Sequence, residues 1–264
     1  MGSPTGELCH KTNEVLHKVT LTHEIEMMQA EVTQGAFKTK LGFNPSSTQE
    51  SKCGLDCPVA AVSWSKAALY CNALSTEMSL ESCYTCTGTP QTTLQCGQAG
   101  QFSGPSNPIY NCKGFRLPTE AEWEYAYRAG TSTAYYNGDD ASKTSCYDCS
   151  STGVRAFPIA WYCANSTNKL RPIKGKGANN WLLYDMAGNI KEWVDDWYVE
   201  NLGTGPRTNP WRDLQGPNKT KALRGGSFLT APATLRAAYR DGFEPQSTSS
   251  SYIHHGFRCV RTLK

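Results

Sequence analysis

The sequence predicts an α+β fold: one domain with two helices, short twisted strands and much irregular loop. Three observations predict it. Apolar residues recur at helical spacing twice, over 63–74 and over 114–130, each time behind a residue that can cap the helix. The other apolar residues alternate with polar ones in runs long enough only for brief strands. The 264 residues contain no Pro/Gly/Ser linker and no shift in composition, so they read as one large core.

In chain order, residues 1–24 read as an N-terminal extension with a first strand, and 25–264 as the domain proper. LHKVTLTHEIEMMQAEVTQ at 16–34 alternates as one or two strands would. SWSKAALYCNAL at 63–74 is the first helix, with Ser63 as N-cap and Trp64, Ala67, Ala68, Cys71 and Leu74 on a stripe that reads as core. Residues 79–113, rich in Cys, Thr, Gly, Gln and Ser, read as an insert held by local disulfides. The second helix is better marked: Pro118 precedes Thr119, Thr119 and Glu122 have capping-box spacing, and Gly130 follows the last turn. Glu120, Glu122 and Glu124 lie where they suit the helix dipole, a structural role rather than a catalytic one. From 131 to 180 the chain is rich in Gly, Ser, Asn and Asp with little periodicity and reads as loop. Trp181, Trp193, Trp197, Tyr198 and Trp211 are expected to pack mostly beneath the loops. Gly225-Gly226-Ser227 permits a close turn, and GFRCV at 256–260 reads as a short last strand. Between them, LRAAYR would place Arg236, Ala238 and Arg240 on one strand face, either as buried, paired cations or as an anion site.

Composition narrows the partners. The net charge is +3, with charged residues dispersed and no basic run, so nucleic acid is not an expected partner. No apolar run approaches the ~18–20 residues of a membrane-spanning helix, and MGSPTGELCHKTNE lacks the apolar core of a signal peptide. Twelve cysteines, several close together, point to disulfides and hence to an exported protein whose targeting segment is not in this chain. CYTC at 83–86 and CYDC at 146–149 also have zinc-site spacing. Disulfides are favoured, because no His pair accompanies these motifs and the other cysteines would still need partners.

Three stretches in register carry a resemblance: GFRLPTEAEWEYAYRAG at 114–130, LYDMAGNIKEW at 183–193, and KALRGGSF with GFRCV in the C-terminal 221–264. Together they resemble the formylglycine-generating enzyme (sulfatase-modifying factor) family over about residues 25–264, with EVTQGAF at 31–37 and GFNPS at 42–46 similar to its amino-terminal motif. The resemblance implies a single C-type-lectin-like domain of the sulfatase-modifying variant. Oxidases of this family bind copper through a cysteine pair between RGGS and GFRC, where this chain has Thr230 and Leu235. Neither side chain suits Cu(I), so no copper is expected. The resemblance also implies a disulfide between Cys71 and Cys259, while a second family bridge would need cysteines where Tyr127 and Ala237 stand. His10, His17 and His23 could suggest the iron site of some relatives, but those draw ligands from a helical domain absent here, so exposed strand histidines are expected.

The best candidate for a bound ion is YDMAGNIKEW. Asp185 and Glu192 bracket a turn that can point carbonyls inward, and oxygen donors on a turn suit calcium. Family members bind calcium there through residues matching Asp185 and Glu192 and the carbonyls of Gly188 and Ile190, which implies a structural Ca²⁺. The expected function is that of a non-catalytic, exported binding protein. A protein or glycan ligand would meet the C-terminal loops 228–234 and 242–255, through Phe228, Thr230, Arg236, Tyr239, Arg240, Tyr252 and His254. Some relatives diversify this surface on a constant fold. The alternative is an oxidoreductase acting on a protein or peptide substrate without the copper-binding cysteines, for which no nucleophile–base–orienter constellation is found.

Overall fold

A computed structural model describes residues 1–46, 53–104, 106, 108–139, 146–149, 155–216, 219–246 and 253–263. Within them the chain forms strands β1 (Val19–Thr20) and β2 (Ile25–Met27), then helices α1 (Gln34–Leu41) and α2 (Trp64–Glu77). A hairpin of β3 (Tyr84–Thr87) and β4 (Gln95–Gln98), β5 (Phe115–Arg116) and α3 (Glu120–Arg128) follow. The second half supplies β6 (Lys191–Trp197), β7 (Arg207–Thr208), β8 (Lys221–Arg224), β9 (Asp241–Phe243), β10 (His255–Gly256) and β11 (Val260–Thr262). The strands assort as β10-β6-β8-β9, β2-β11-β5, the β3-β4 hairpin and a parallel β1-β7 pair. The short strands, helices and long loops around one domain agree with the α+β prediction.

Both expected helices form, with the expected caps. Ser63 accepts from the Lys66 amide, and Thr119 with Glu122 makes both halves of a capping box. The end of α3 turns through two left-handed residues, Ala129 at φ 43° and then Gly130 at φ 91°. Helix α1 was not expected. Only Gln34 and Phe37 are buried on its eight residues, so it has almost no apolar stripe. It is held by the Thr33 cap and by Phe37, which stacks on Tyr70 and meets Phe257 edge-on.

The glutamates of α3 are indeed structural, although the helix dipole is not their main partner. Arg240 holds Glu120 (2.6 Å), Arg116 holds Glu122 (2.7 Å) and Arg224 holds Glu124 (2.7 Å), all buried. Arg116 keeps the Glu122 carboxyl well below the usual carboxylate range despite its burial. The N-terminal residues are tied into the same network. Glu14, fully buried, takes both Nη atoms of Arg236, and Gly2 donates to Glu124 at 2.9 Å. The three early histidines are not exposed strand residues. His17 is buried against the Val15 carbonyl, His10 meets Ser3 Oγ, and His23 bonds Glu122 at 2.6 Å while stacking on Tyr110. Trp181 departs from the other tryptophans: it is 44% exposed, beside Tyr125.

Disulfides resolve the cysteine question. Among the described residues Cys9–Cys146, Cys53–Cys57, Cys83–Cys112, Cys86–Cys96 and Cys149–Cys163 are bonded, so each CxxC pair is divided between two bridges and holds no zinc. Residues 79–113 contain two of these bridges, as expected of a stapled insert. The expected Cys71–Cys259 bridge is replaced by two buried thiols in hydrogen-bonding contact. Burial, and then the Cys259 neighbour, push the Cys71 thiol well above its ordinary pKa, which suppresses the thiolate that disulfide formation requires. Alkylation of the unfolded, unreduced protein is therefore expected to modify Cys71 and Cys259 alone, as mass spectrometry would show.

Candidate functional site

The motif at 183–193 forms a pinned turn. Asp185, Gly188 and Asn189 all have left-handed backbone, at φ 55°, 78° and 57°. A Cβ on Gly188 would lie 2.3 Å from the Trp161 carbonyl, so only glycine fits. Gly188 donates to the Gly225 carbonyl (2.8 Å) and Phe228 to that of Asn189 (2.9 Å), which fastens this turn to the Gly225-Gly226-Ser227 turn. Gly226 is needed there because Leu235, Thr234 and Thr230 crowd within 3.0 Å of where its Cβ would be.

The four expected calcium donors are differently engaged. Both Glu192 oxygens accept a two-pronged bond from Arg258 (2.8 Å each), and the Trp123 indole adds 2.9 Å to one of them. Asp185 uses one oxygen on the Lys174 amide (2.6 Å), and burial raises its carboxyl. The residue the sequence reading missed is Glu31. It is 3% exposed and in side-chain hydrogen-bonding contact with Asp185, and no cationic side chain among the described residues pairs with it. Its carboxyl is pushed well above the usual range by burial and then by Asp185. Glu31 opens the EVTQ stretch, which resembles the family's amino-terminal motif, but no periodicity marks it.

The C-terminal segment is mostly interior. Residues 236–240 are irregular, following a 3-10 turn over Pro232–Leu235, so the expected alternation on a strand does not occur. Phe228 is fully buried with Ala60, Leu170 and Ile190. Arg236 is closed by Glu14, Glu7 and the Cys9 carbonyl, and Arg240 by Glu120, so neither is presented to a ligand. This is the paired-cation alternative, and the physical reason is burial, which a guanidinium tolerates only beside carboxylates. Tyr252 lies outside the described residues. Thr230, Tyr239 and His254 are half-buried and reach the surface. Lys11 sits 4.6 Å over the Tyr239 ring. His254, pushed down to about 4 by burial and by Lys191, is neutral near pH 7 and lies by the Lys191–Asp241 pair (2.5 Å).

Of the two residues that the resemblance sets at the oxidase's cysteine pair, Thr230 accepts at Oγ1 from the Ser227 amide (2.8 Å) and from Thr234 Oγ1 (2.7 Å), and Leu235 is fully buried. A hydroxyl and an aliphatic side chain are not soft ligands of the kind Cu(I) selects.

Fold and site thus define a disulfide-braced, loop-rich scaffold of C-type-lectin-like kind. The chain belongs to the family described as sulfatase-modifying factor enzyme 1-like domain, whose model matches residues 1–263. It is similar to the chaperone protein LppX of Paenibacillus barcinonensis, 27% identical over 239 residues, covering 88% of this chain and 78% of LppX. Formylglycine-generating enzyme of Mycobacterium tuberculosis is 35% identical over 153 residues, covering 56% of this chain and about half, 51%, of the enzyme. Among solved structures, Treponema denticola variable protein 1 superposes with a TM-score of 0.72 at 28% identity, covering 100% of this chain and 94% of that one.

Proposed function

We propose that this chain is a non-catalytic, exported binding protein that presents its C-terminal loops to a protein or glycan. One observation carries the reading: Thr230 and Leu235, the residues that the resemblance sets at the oxidase's cysteine pair, are engaged in hydrogen bonding and core packing. The similarity to a protein named as variable supports it, because a scaffold whose core is braced by disulfides and ion pairs tolerates change at loop residues. The ligand surface in this reading comprises Thr230, Tyr239 and His254 with the half-buried Leu229, Phe243 and Ile253. The five disulfides among the described residues support export, and no helix among them is long and apolar enough to cross a membrane. Cu(I) titration with oxygen consumption on a cysteine-containing peptide tests the reading. No stoichiometric copper and no turnover are expected; submicromolar Cu(I) near Thr230, or conversion of the peptide, would overturn it.

Calcium belongs to the same proposal, with its donors revised. Asp185, the carbonyls of Gly188 and Ile190, and Glu31, which pairs with no cation among the described residues, would hold the ion, while Glu192 stays with Arg258. A cation would offset the repulsion between the neighbouring Asp185 and Glu31 carboxylates, and calcium tolerates irregular oxygen coordination. A ligand at a hundredfold its Kd stabilises by about 2.7 kcal/mol, so EGTA is expected to lower Tm in the wild type and not in Asp185→Asn. An identical Tm in EGTA and in millimolar calcium for the wild type would refute the site.

A further inference from the structure

A cleft of about 520 Å³ lies away from the C-terminal loops, where the β7 segment passes the start of α3. Its size is within the range of ligand pockets, roughly 300–1,000 Å³. Its walls include Tyr110, Trp211, Pro108 and Pro210, and it is also lined by Arg207 and Arg212.

Arg212 is unlike the buried arginines of this protein. Arg116, Arg224, Arg236, Arg240 and Arg258 each hold a carboxylate. Arg212 is half-buried, yet its guanidinium has no ion pair or hydrogen bond among the described residues. The nearby acids are already engaged. Arg240 takes both Glu120 oxygens. Asp196 accepts from the Glu120 and Arg212 backbone amides, and its carboxyl, pushed up to about 8, is protonated at neutral pH. Asp213 also lines the cleft, but forms no ion pair with either arginine and exerts its field on Lys221. The second cation, Arg207, makes one bond, to the Leu202 carbonyl (2.7 Å). Burial and then the charge of Arg207 lower the Arg212 pKa, outweighing the opposing fields of Asp196 and Glu120, as expected of a guanidinium that shares a cleft with a second cation and has no direct carboxylate partner.

We propose that this cleft binds a small, ring-bearing organic anion, its carboxylate or sulfate between Arg207 and Arg212 and its ring against Tyr110 and Trp211. A guanidinium offers paired donors that match such oxyanions, and the aromatic and proline walls suit the flat face of a ring. The site is independent of the C-terminal surface, so it stands or falls without that reading.

Calorimetric titration of the whole protein with D-glucuronate, D-glucose 6-sulfate, benzoate and neutral D-glucose tests the proposal. At least one of the three anions is expected to bind saturably and to weaken as salt is raised, while glucose does not bind; which anion binds distinguishes a sugar ring from an aromatic one. Arg212→Gln is expected to weaken that anion about tenfold or more, by loss of a charge-assisted hydrogen bond, and Arg212→Lys to weaken it less. Because Arg212 has no partner to orphan, its Gln variant should keep the wild-type Tm, which separates lost binding from misfolding. No saturable binding of any anion, equal binding of glucose, or unchanged affinity in Arg212→Gln would overturn the proposal.

Discussion

Glu192→Gln is expected to destabilise the fold by about 3–5 kcal/mol, as measured by chemical denaturation, whether or not calcium is present. Glu192 and Arg258 are both fully buried and share two bonds of 2.8 Å, and the remaining Arg258 contacts fan out to the carbonyls of Met28 (3.2 Å) and Tyr184 (2.8 Å). One guanidinium therefore joins the end of β2, the 183–193 turn and the approach to β11. An amide in place of the carboxylate leaves that charge uncompensated in the interior. It also turns an NH₂ toward donors, either the guanidinium or the Trp123 indole. Adding Arg258→Met to Glu192→Gln should recover part of the loss, because the guanidinium left without its carboxylate is then gone. A change below about 1 kcal/mol in the single variant would mean that the pair is not closed in solution. The variant also bears on calcium: a loss of stability in Glu192→Gln says nothing about an ion, whereas Asp185→Asn leaves the Arg258 pair intact.

What could be read from the sequence was local. The Ser63 cap, the Thr119–Glu122 box and the stapled insert are signalled by residues within a few positions of one another, and each formed as expected. The ion pairs were not legible, because their partners lie far apart in sequence: Glu14 with Arg236, Glu120 with Arg240, Glu192 with Arg258. The helical period does rationalise them afterwards. Glu120 and Glu124 are four apart on one face and both reach Arg224, while Glu122 points away to Arg116. Residues 131–180 read as loop, and the described ones among them form no helix or strand, but Tyr135, Tyr136, Ile159 and Tyr162 are buried core. Irregular backbone packed on a core has no period to detect. The same limit applies to the candidate site, where the stretch was found but Glu31 and the interior positions of Phe228, Arg236 and Arg240 depend on distant elements.

Stability is also expected to carry a pH signature centred near pH 8, set by Asp196 and Lys221. Asp196 is 4% exposed, and burial, followed by the Glu120 and Asp195 charges, pushes its carboxyl up to about 8 from an ordinary 3.8, against the opposing Glu120 amide and Lys221. A carboxyl with a raised folded pKa contributes its stability fully below the unfolded value and loses it as pH rises through the folded one, here from about 4 to about 8. Lys221 has the opposite sign. Burial lowers it from 10.5 to about 8 between the rings of Trp64 (4.3 Å) and Trp197 (4.5 Å), so its contribution is complete above 10.5 and is lost as pH falls through 8. The two slopes meet in a minimum near pH 8. Other carboxylates titrate over the acid range, so the informative quantity is the difference between wild type and Asp196→Asn. The amide keeps one acceptor for the Glu120 and Arg212 backbone amides, and its penalty for the other is the same at every pH. At about 1.4 kcal/mol per pH unit, the variant should gain several kcal/mol relative to wild type between pH 4 and pH 8 and nothing further above it. A stability difference that stays flat across that window would show that Asp196 is ionised in the folded protein.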